Sequence, residues 1–324
     1  MNLSAYDNPY FGQDFWGFFV TLFYRIASFA SGSISFSQLA SDEIQIVVLC
    51  GVAISSALVG TFLVLRRMTM LANALSHTIL LGIVMAFVLT RGFLLQDDQH
   101  SSMIYLPAML LAALFTGLLT TFFTHFLTAT VKLQEDASIG LVFTSFFALG
   151  IVLVTLLTRN AHVGIEAVMG NVDALQLEDC FLIFCIVLMN ITLFTLFFKE
   201  FKITTFDKGL AKALGFSTIF FDYLLMTQTS ATSVGAFRAV GVLMVLAFIT
   251  GPPLTARLLT HNLKRMLILS SVLGCFASLM GIAITRHILS VYDVPLSTSG
   301  VVVCVIVAIY TLTIAWHKRS LAKQ

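Results

Sequence analysis

Charge is what this chain has least of: of 324 residues only 10% are Asp, Glu, Lys or Arg, and the formal net charge is +2. So small an imbalance, with the basic residues scattered along the chain, excludes a polynucleotide-binding surface. Five cysteines (Cys50, Cys180, Cys185, Cys275, Cys304) stand inside apolar runs with no CxxC pair, so neither a disulfide framework nor a thiolate zinc site is signalled. They read as small apolar helix residues. There is no GxxxxGK[ST] phosphate loop and no HExxH, which removes the usual ATPase loop and the commonest metalloprotease signature. No Ser/His or paired-Asp catalytic set is legible either, and the chain reads as a non-enzyme.

What remains is apolar. Hydrophobic residues make up 58% of the chain, thirty of them phenylalanine, and mean hydropathy is +0.97. A soluble domain could not hide so much apolar surface. Windows of about 20 apolar residues, the length that spans a hydrocarbon core of about 30 Å, predict crossings near 44–65, 70–90, 103–128, 137–158, 179–199, 217–236, 239–257, 266–287 and 298–316. The fold class is therefore all-α: a polytopic membrane helical bundle of about eight to ten transmembrane helices. The run from Phe216 to Leu259 is too long for one helix and short for two with a loop.

Charge decides that run. If it crosses twice, all eight lysines share one side with Arg66, Arg67, Arg257, Arg265 and Arg319, thirteen of the eighteen basic residues. Arg25, Arg91, Arg159 and Arg286 fall opposite, and Arg238 lies at a helix boundary. The positive-inside rule makes the lysine side of a bacterial cytoplasmic (inner) membrane the cytoplasmic one, with the C-terminal tail in the cytoplasm. The same topology sends Asp97, Asp98, Glu166, Asp173, Glu178, Asp179 and Asp293 outward, with Asp42 and Glu43 at the start of the first span. That acidic rim either concentrates cations at a pore mouth or is what remains once lysines are held inside. Residues 1–40 form an N-terminal extension whose Trp16, Phe18, Phe19, Phe23 and Tyr24 suggest an interfacial helix or a short tenth span. The membrane domain covers residues 41–317 and the tail 318–324.

Polar residues inside such a chain mark candidate function. In the stretch from Leu65 to Gly82, LRRMTMLANALSHTILLG, two arginines precede an apolar helix carrying Asn73, Ser76 and His77, and the four-residue spacing puts Asn73 and His77 on one face. A buried imidazole can be a transition-metal ligand, a proton relay or an interhelical hydrogen-bond donor. The asparagine amide is a weak ligand for a soft or borderline cation and equally an interhelical tie. Two compact basic stretches, Lys199–Ser217 and Gly251–Arg265, lie on the lysine side. Pro252 and Pro253 are expected to end or kink a helix, leaving Ala256–Lys264 as a short helix across the inner surface. That helix would be a handle for a soluble partner, or an ordinary anchoring loop.

Five segments in order resemble the permease subunits of bacterial ATP-binding-cassette importers for manganese, zinc and iron. LRRMTMLANALSHTILLG is similar to the family's LRR-M-x-L-x-G-D-A-L-S-H-A-x-L-P-G, and Glu135–Leu153 to its D-x-A-I-G-I-V-F-S-x-x-F-A-L-G. Gly170–Cys180 is similar to G-N-I-L-x-V-x-x-x-D-L, Ala239–Thr260 to A-V-G-x-L-L-V-x-A-L-L-I-x-P-A-A-T-A-R-L-L, and Asp293–Val303 to D-L-P-x-G-x-x-I-V. The resemblance implies a type II importer-like permease that dimerises, two cytoplasmic ATP-binding subunits below, and an extracytoplasmic metal-binding lipoprotein above. The transported divalent metal would be cargo, with no cofactor bound permanently. It also implies a coupling element at Pro252, Pro253, Arg257, His261, Lys264 and Arg265, and a metal pathway at His77, Asn73 and Ser76.

The chain departs from the pattern where it matters. Asn73 stands where the family usually has Asp, and Ala72 where it usually has Gly. Losing a carboxylate weakens a cation site, so either a second, different permease keeps the aspartate or the metal is handled by His77 and backbone groups alone. The first is favoured. The competing function class is a stand-alone secondary metal ion carrier, which would be expected to place several ionisable groups at mid-membrane.

Overall fold

The computed structural model describes residues 8–32, 35, 38–93, 106–158 and 172–321. Among them there are twelve α-helices and no strand: α1 Phe15–Ala30, α2 Ser41–Leu65, α3 Thr69–Phe93, α4 Leu106–Ala129, α5 Glu135–Thr158, α6 Leu177–Leu196, α7 Phe198–Phe206, α8 Lys208–Ala213, α9 Thr218–Val240, α10 Val242–Leu259, α11 Leu263–Tyr292 and α12 Thr298–Leu321. The nine of 18 residues or more coincide with the nine windows in the sequence. Six, in α2, α5, α6, α10, α11 and α12, are long and apolar enough to cross a membrane by length and composition.

The turns between helices are tight because the backbone caps itself. Past the end of α2, Arg67 adopts φ 62° while the Met68 N–H returns to the Leu63 carbonyl at 2.9 Å, a left-handed stop that leaves few carbonyls orphaned. The doubtful run resolves into two helices, α9 and α10, parted by the single residue Gly241 at φ 82° and ψ 160°. Only a residue without a Cβ takes that conformation cheaply.

The chain divides into two compact units. One consists of Met1–Leu58, Asn171–Val187 and Ala239–Gln324, the other of Val59–Gly170 and Leu188–Arg238. In the first, α10, α11 and α12 pack on one another and α1 lies on α11. Small residues let these helices approach: a Cβ on Gly281 would stand 2.3 Å from Val302 Cγ2, and one on Gly251 2.3 Å from Ile306 Cγ2. In the second, α3, α4 and α5 pack mutually. Within the same unit, Phe62, Phe194, Phe201 and Phe221 form a ring cluster with centroid separations of 4.8–5.5 Å.

One expectation fails here. Pro252 and Pro253 neither end α10 nor detach a short helix at Ala256–Lys264. The helix runs through both prolines to Leu259, and a three-residue link leads into α11. Both prolines are buried, and the Thr255 hydroxyl donates to the Gly251 carbonyl at 2.9 Å. Where water cannot reach, ending the helix would orphan more backbone groups than two prolines do.

Candidate functional site

His77 and Asn73 sit one turn apart on α3, both half-buried, with His77 about 12 Å along the helix from its first residue. The imidazole lies among rings: the centroids of Phe143 and Phe147, on α5, are each 5.3 Å away. Their spacing of four residues sets two aromatics on one face of α5. Such rings exclude water and present negatively polarised faces to a passing cation. The side chain of Ser76 lies outside the described residues. Among the described residues no three His, Cys, Asp or Glu side chains gather where they could hold a metal ion.

The arginines preceding α3 have different roles. Arg67 is exposed. The Arg66 side chain is only 3% exposed; its guanidinium pairs with Asp222 on α9 and donates to Thr204 Oγ1 and Thr205 Oγ1 of α7, each at 3.0 Å. Lys208 Nζ reaches the other Asp222 oxygen at 3.3 Å. In the sequence this knot is hinted at only by two charged residues near helix ends, Arg66 and Asp222.

Of the acidic rim, Asp97, Asp98 and Glu166 lie outside the described residues. Asp173 sits in a 3₁₀ turn, Val172–Ala174, and accepts a hydrogen bond from Thr298 Oγ1 at 2.6 Å. It borders a cavity of about 350 Å³ also lined by Asn8, Asp42, Gln45 and Arg286. Asp42 and Glu43 carry no free rim charge, because both are buried. Asp42 pairs with Arg286 and accepts from Asn8 Nδ2 at 2.7 Å. Glu43 pairs with Arg25, accepts from the Tyr10 hydroxyl at 3.0 Å and reaches back to the Ala40 N–H at 2.9 Å, as the third residue of a helix often does. Burial and the adjacent Glu43 carboxylate push the Tyr10 phenol well above its ordinary pKa. The N-terminal extension is therefore tied to the start of α2 by three polar side chains.

The coupling candidates lie in the first unit. Pro252 and Pro253 are buried inside α10, whereas Arg257 in its last turn, His261 in the link, and Lys264 and Arg265 in the first turn of α11 are exposed. Asn262 caps α11 by accepting from the Lys264 N–H at 3.1 Å. The other basic stretch, in the second unit, folds as α7 and α8. Asp207 caps α8 at the Leu210 N–H, 2.9 Å, and Phe206, Leu210 and Leu214 stand exposed there beside Lys208 and Lys212.

The family model for the ABC 3 transport family matches residues 42–317. The chain belongs to the ABC 3 transport family. A probable metal transport system membrane protein of Chlamydia muridarum is 42% identical over 313 residues, 97% of this chain and 96% of that protein. The manganese transport system membrane protein MntD of Bacillus subtilis is 39% identical over 243 residues, 71% of this chain and 78% of that protein. Among solved structures, PsaBC from Streptococcus pneumoniae in complex with Fab matches with a TM-score of 0.69 at 28% identity, covering 89% of this chain and 95% of the PsaBC chain. As an ABC 3 family member, the chain is a multi-pass permease of the metal-transporting kind. The matched residues begin at the start of α2 and end within α12, so α1 lies outside the family model's span.

Proposed function

We propose that this chain is the membrane-spanning subunit of an ATP-driven importer that carries manganese inward after an external binding protein delivers it. The observation that carries this reading is the 39% identity to a manganese permease over 71% of the chain. The metal is cargo. His77 is its ligand on α3, with Asn73 one turn away as a weak, neutral oxygen donor. Two such groups are fewer than the six or so a hard divalent ion takes, so a second permease, one whose motif keeps the aspartate, completes the site.

The lysine-rich side is cytoplasmic, the tail 318–324 included, and Asp173 faces outward with the other rim acids. ATP is hydrolysed on separate subunits, which push on exposed cytoplasmic elements. Arg257, His261, Lys264 and Arg265 offer them charge; α8 offers exposed Leu210 and Leu214 on a capped helix, the more usual chemistry of a protein contact. Residues 1–40 are an accessory segment and 41–317 the permease proper.

The test is manganese uptake by cells that depend on this transporter. His77→Ala should lower uptake at least tenfold while the protein still inserts in the membrane and retains its ATP-binding partner. Unchanged uptake would return His77 to a packing role.

A further inference from the structure

The five cysteines look inert in sequence, yet the fold brings two of them together. Helices α2 and α11 cross at small residues: a Cβ on Gly274 would lie 3.0 Å from Ala53 Cβ and 3.7 Å from Ala53 Cα. This close approach sets Cys50, one turn before Ala53, against Cys275, the neighbour of Gly274. The Cys275 thiol points at the Cys50 carbonyl oxygen at 3.7 Å, across 225 residues of sequence. Both residues are half-buried and both belong to the first unit. A disulfide needs backbones that approach closely, and the contact of the Cys275 sulfur with the Cys50 carbonyl sets the two residues side by side.

We propose that Cys50 and Cys275 are a redox-active thiol pair that closes to an interhelical disulfide, stapling α2 to α11 and locking the permease. The step consumes a membrane-permeant two-electron oxidant of the diazene class. Each thiol gives up its proton, a sulfur–sulfur bond forms, and the oxidant's N=N bond takes up the two protons and two electrons to become a hydrazine. A dithiol reductant reverses the step by exchange. Movement of α2 along α11 is blocked in the joined form, so transport stops.

The chemistry is read out without reference to transport. The purified permease complex in lipid nanodiscs is treated with diamide or with copper phenanthroline and air, then denatured and alkylated. Three of the five thiols should remain alkylatable, with Cys50 and Cys275 peptides joined and separated again by dithiothreitol; Cys50→Ser should leave four and no link. Five alkylatable thiols under both oxidants, or a link through Cys180, Cys185 or Cys304, would overturn the pair. The lock itself rests on the importer reading. In cells, diamide should reduce manganese uptake several-fold and reversibly in the native chain but not in Cys50→Ser, and full transport by fully linked protein would overturn it.

Discussion

Removing the Asp222 carboxylate would strand the Arg66 guanidinium, which the fold has withdrawn from solvent almost entirely. Breaking a buried pair from one side costs about 3–5 kcal/mol, so Asp222→Ala should lower thermal stability sharply in detergent. Lys208 shares the same carboxylate but its side chain is 59% exposed; Lys208→Ala should cost less than about 1 kcal/mol. Equal losses in the two variants, measured by thermal unfolding of the purified protein, would contradict this division. At the same scale, the sequence was legible for His77 and Asn73, because a polar residue in an apolar helix is conspicuous wherever its helix lies. It was not legible for Arg66, Asp42 or Glu43. Each resembled an ordinary charge at a helix end, and only partners 156, 244 and 18 residues distant in the chain reveal them as buried.

Helix limits followed from hydropathy more closely than from proline. The nine apolar windows became nine long helices since the hydrocarbon length dictates both, whereas Pro252 and Pro253 were tolerated because their surroundings leave no water to replace lost helical bonds. Contacts between helices were invisible for the opposite reason: they depend on what a glycine leaves out. Gly281→Ala would place its Cβ 3.0 Å from the Val302 Cα and 3.1 Å from its Cβ, so α11 and α12 must part. A loss of about 1–3 kcal/mol follows, seen as a lower melting temperature, and an unchanged one would contradict the packing. Helix α9 is the least apolar long helix, and the side chains of its buried Gln228, Ser230 and Ser233 have no hydrogen-bond partner among the described residues. The run was hard to place because of its length, and the single-residue link at Gly241 is what lets two helices fit into it. The coupling elements separate by substitution: Lys264→Glu with Arg265→Glu should uncouple ATP hydrolysis from uptake if α11 takes the push, and Leu210→Asp should do so if α8 does. Intact coupling in both variants would move the contact elsewhere.

For the whole molecule, the proposed pathway through His77, with Asn73 in place of an aspartate, predicts a second permease. A tagged chain purified in mild detergent should bring down a different permease that carries Asp in the matching motif, and recovery of only self-associated chain would contradict that assembly. The proposed importer is driven by ATP hydrolysis on partner subunits, in contrast to a carrier that works alone. Its most direct test is manganese accumulation in proteoliposomes containing this chain, the second permease, the ATP-binding subunits and the external binding protein. Accumulation that appears only with enclosed Mg-ATP and disappears in His77→Ala is the predicted result; accumulation driven by an imposed pH gradient without ATP would contradict it.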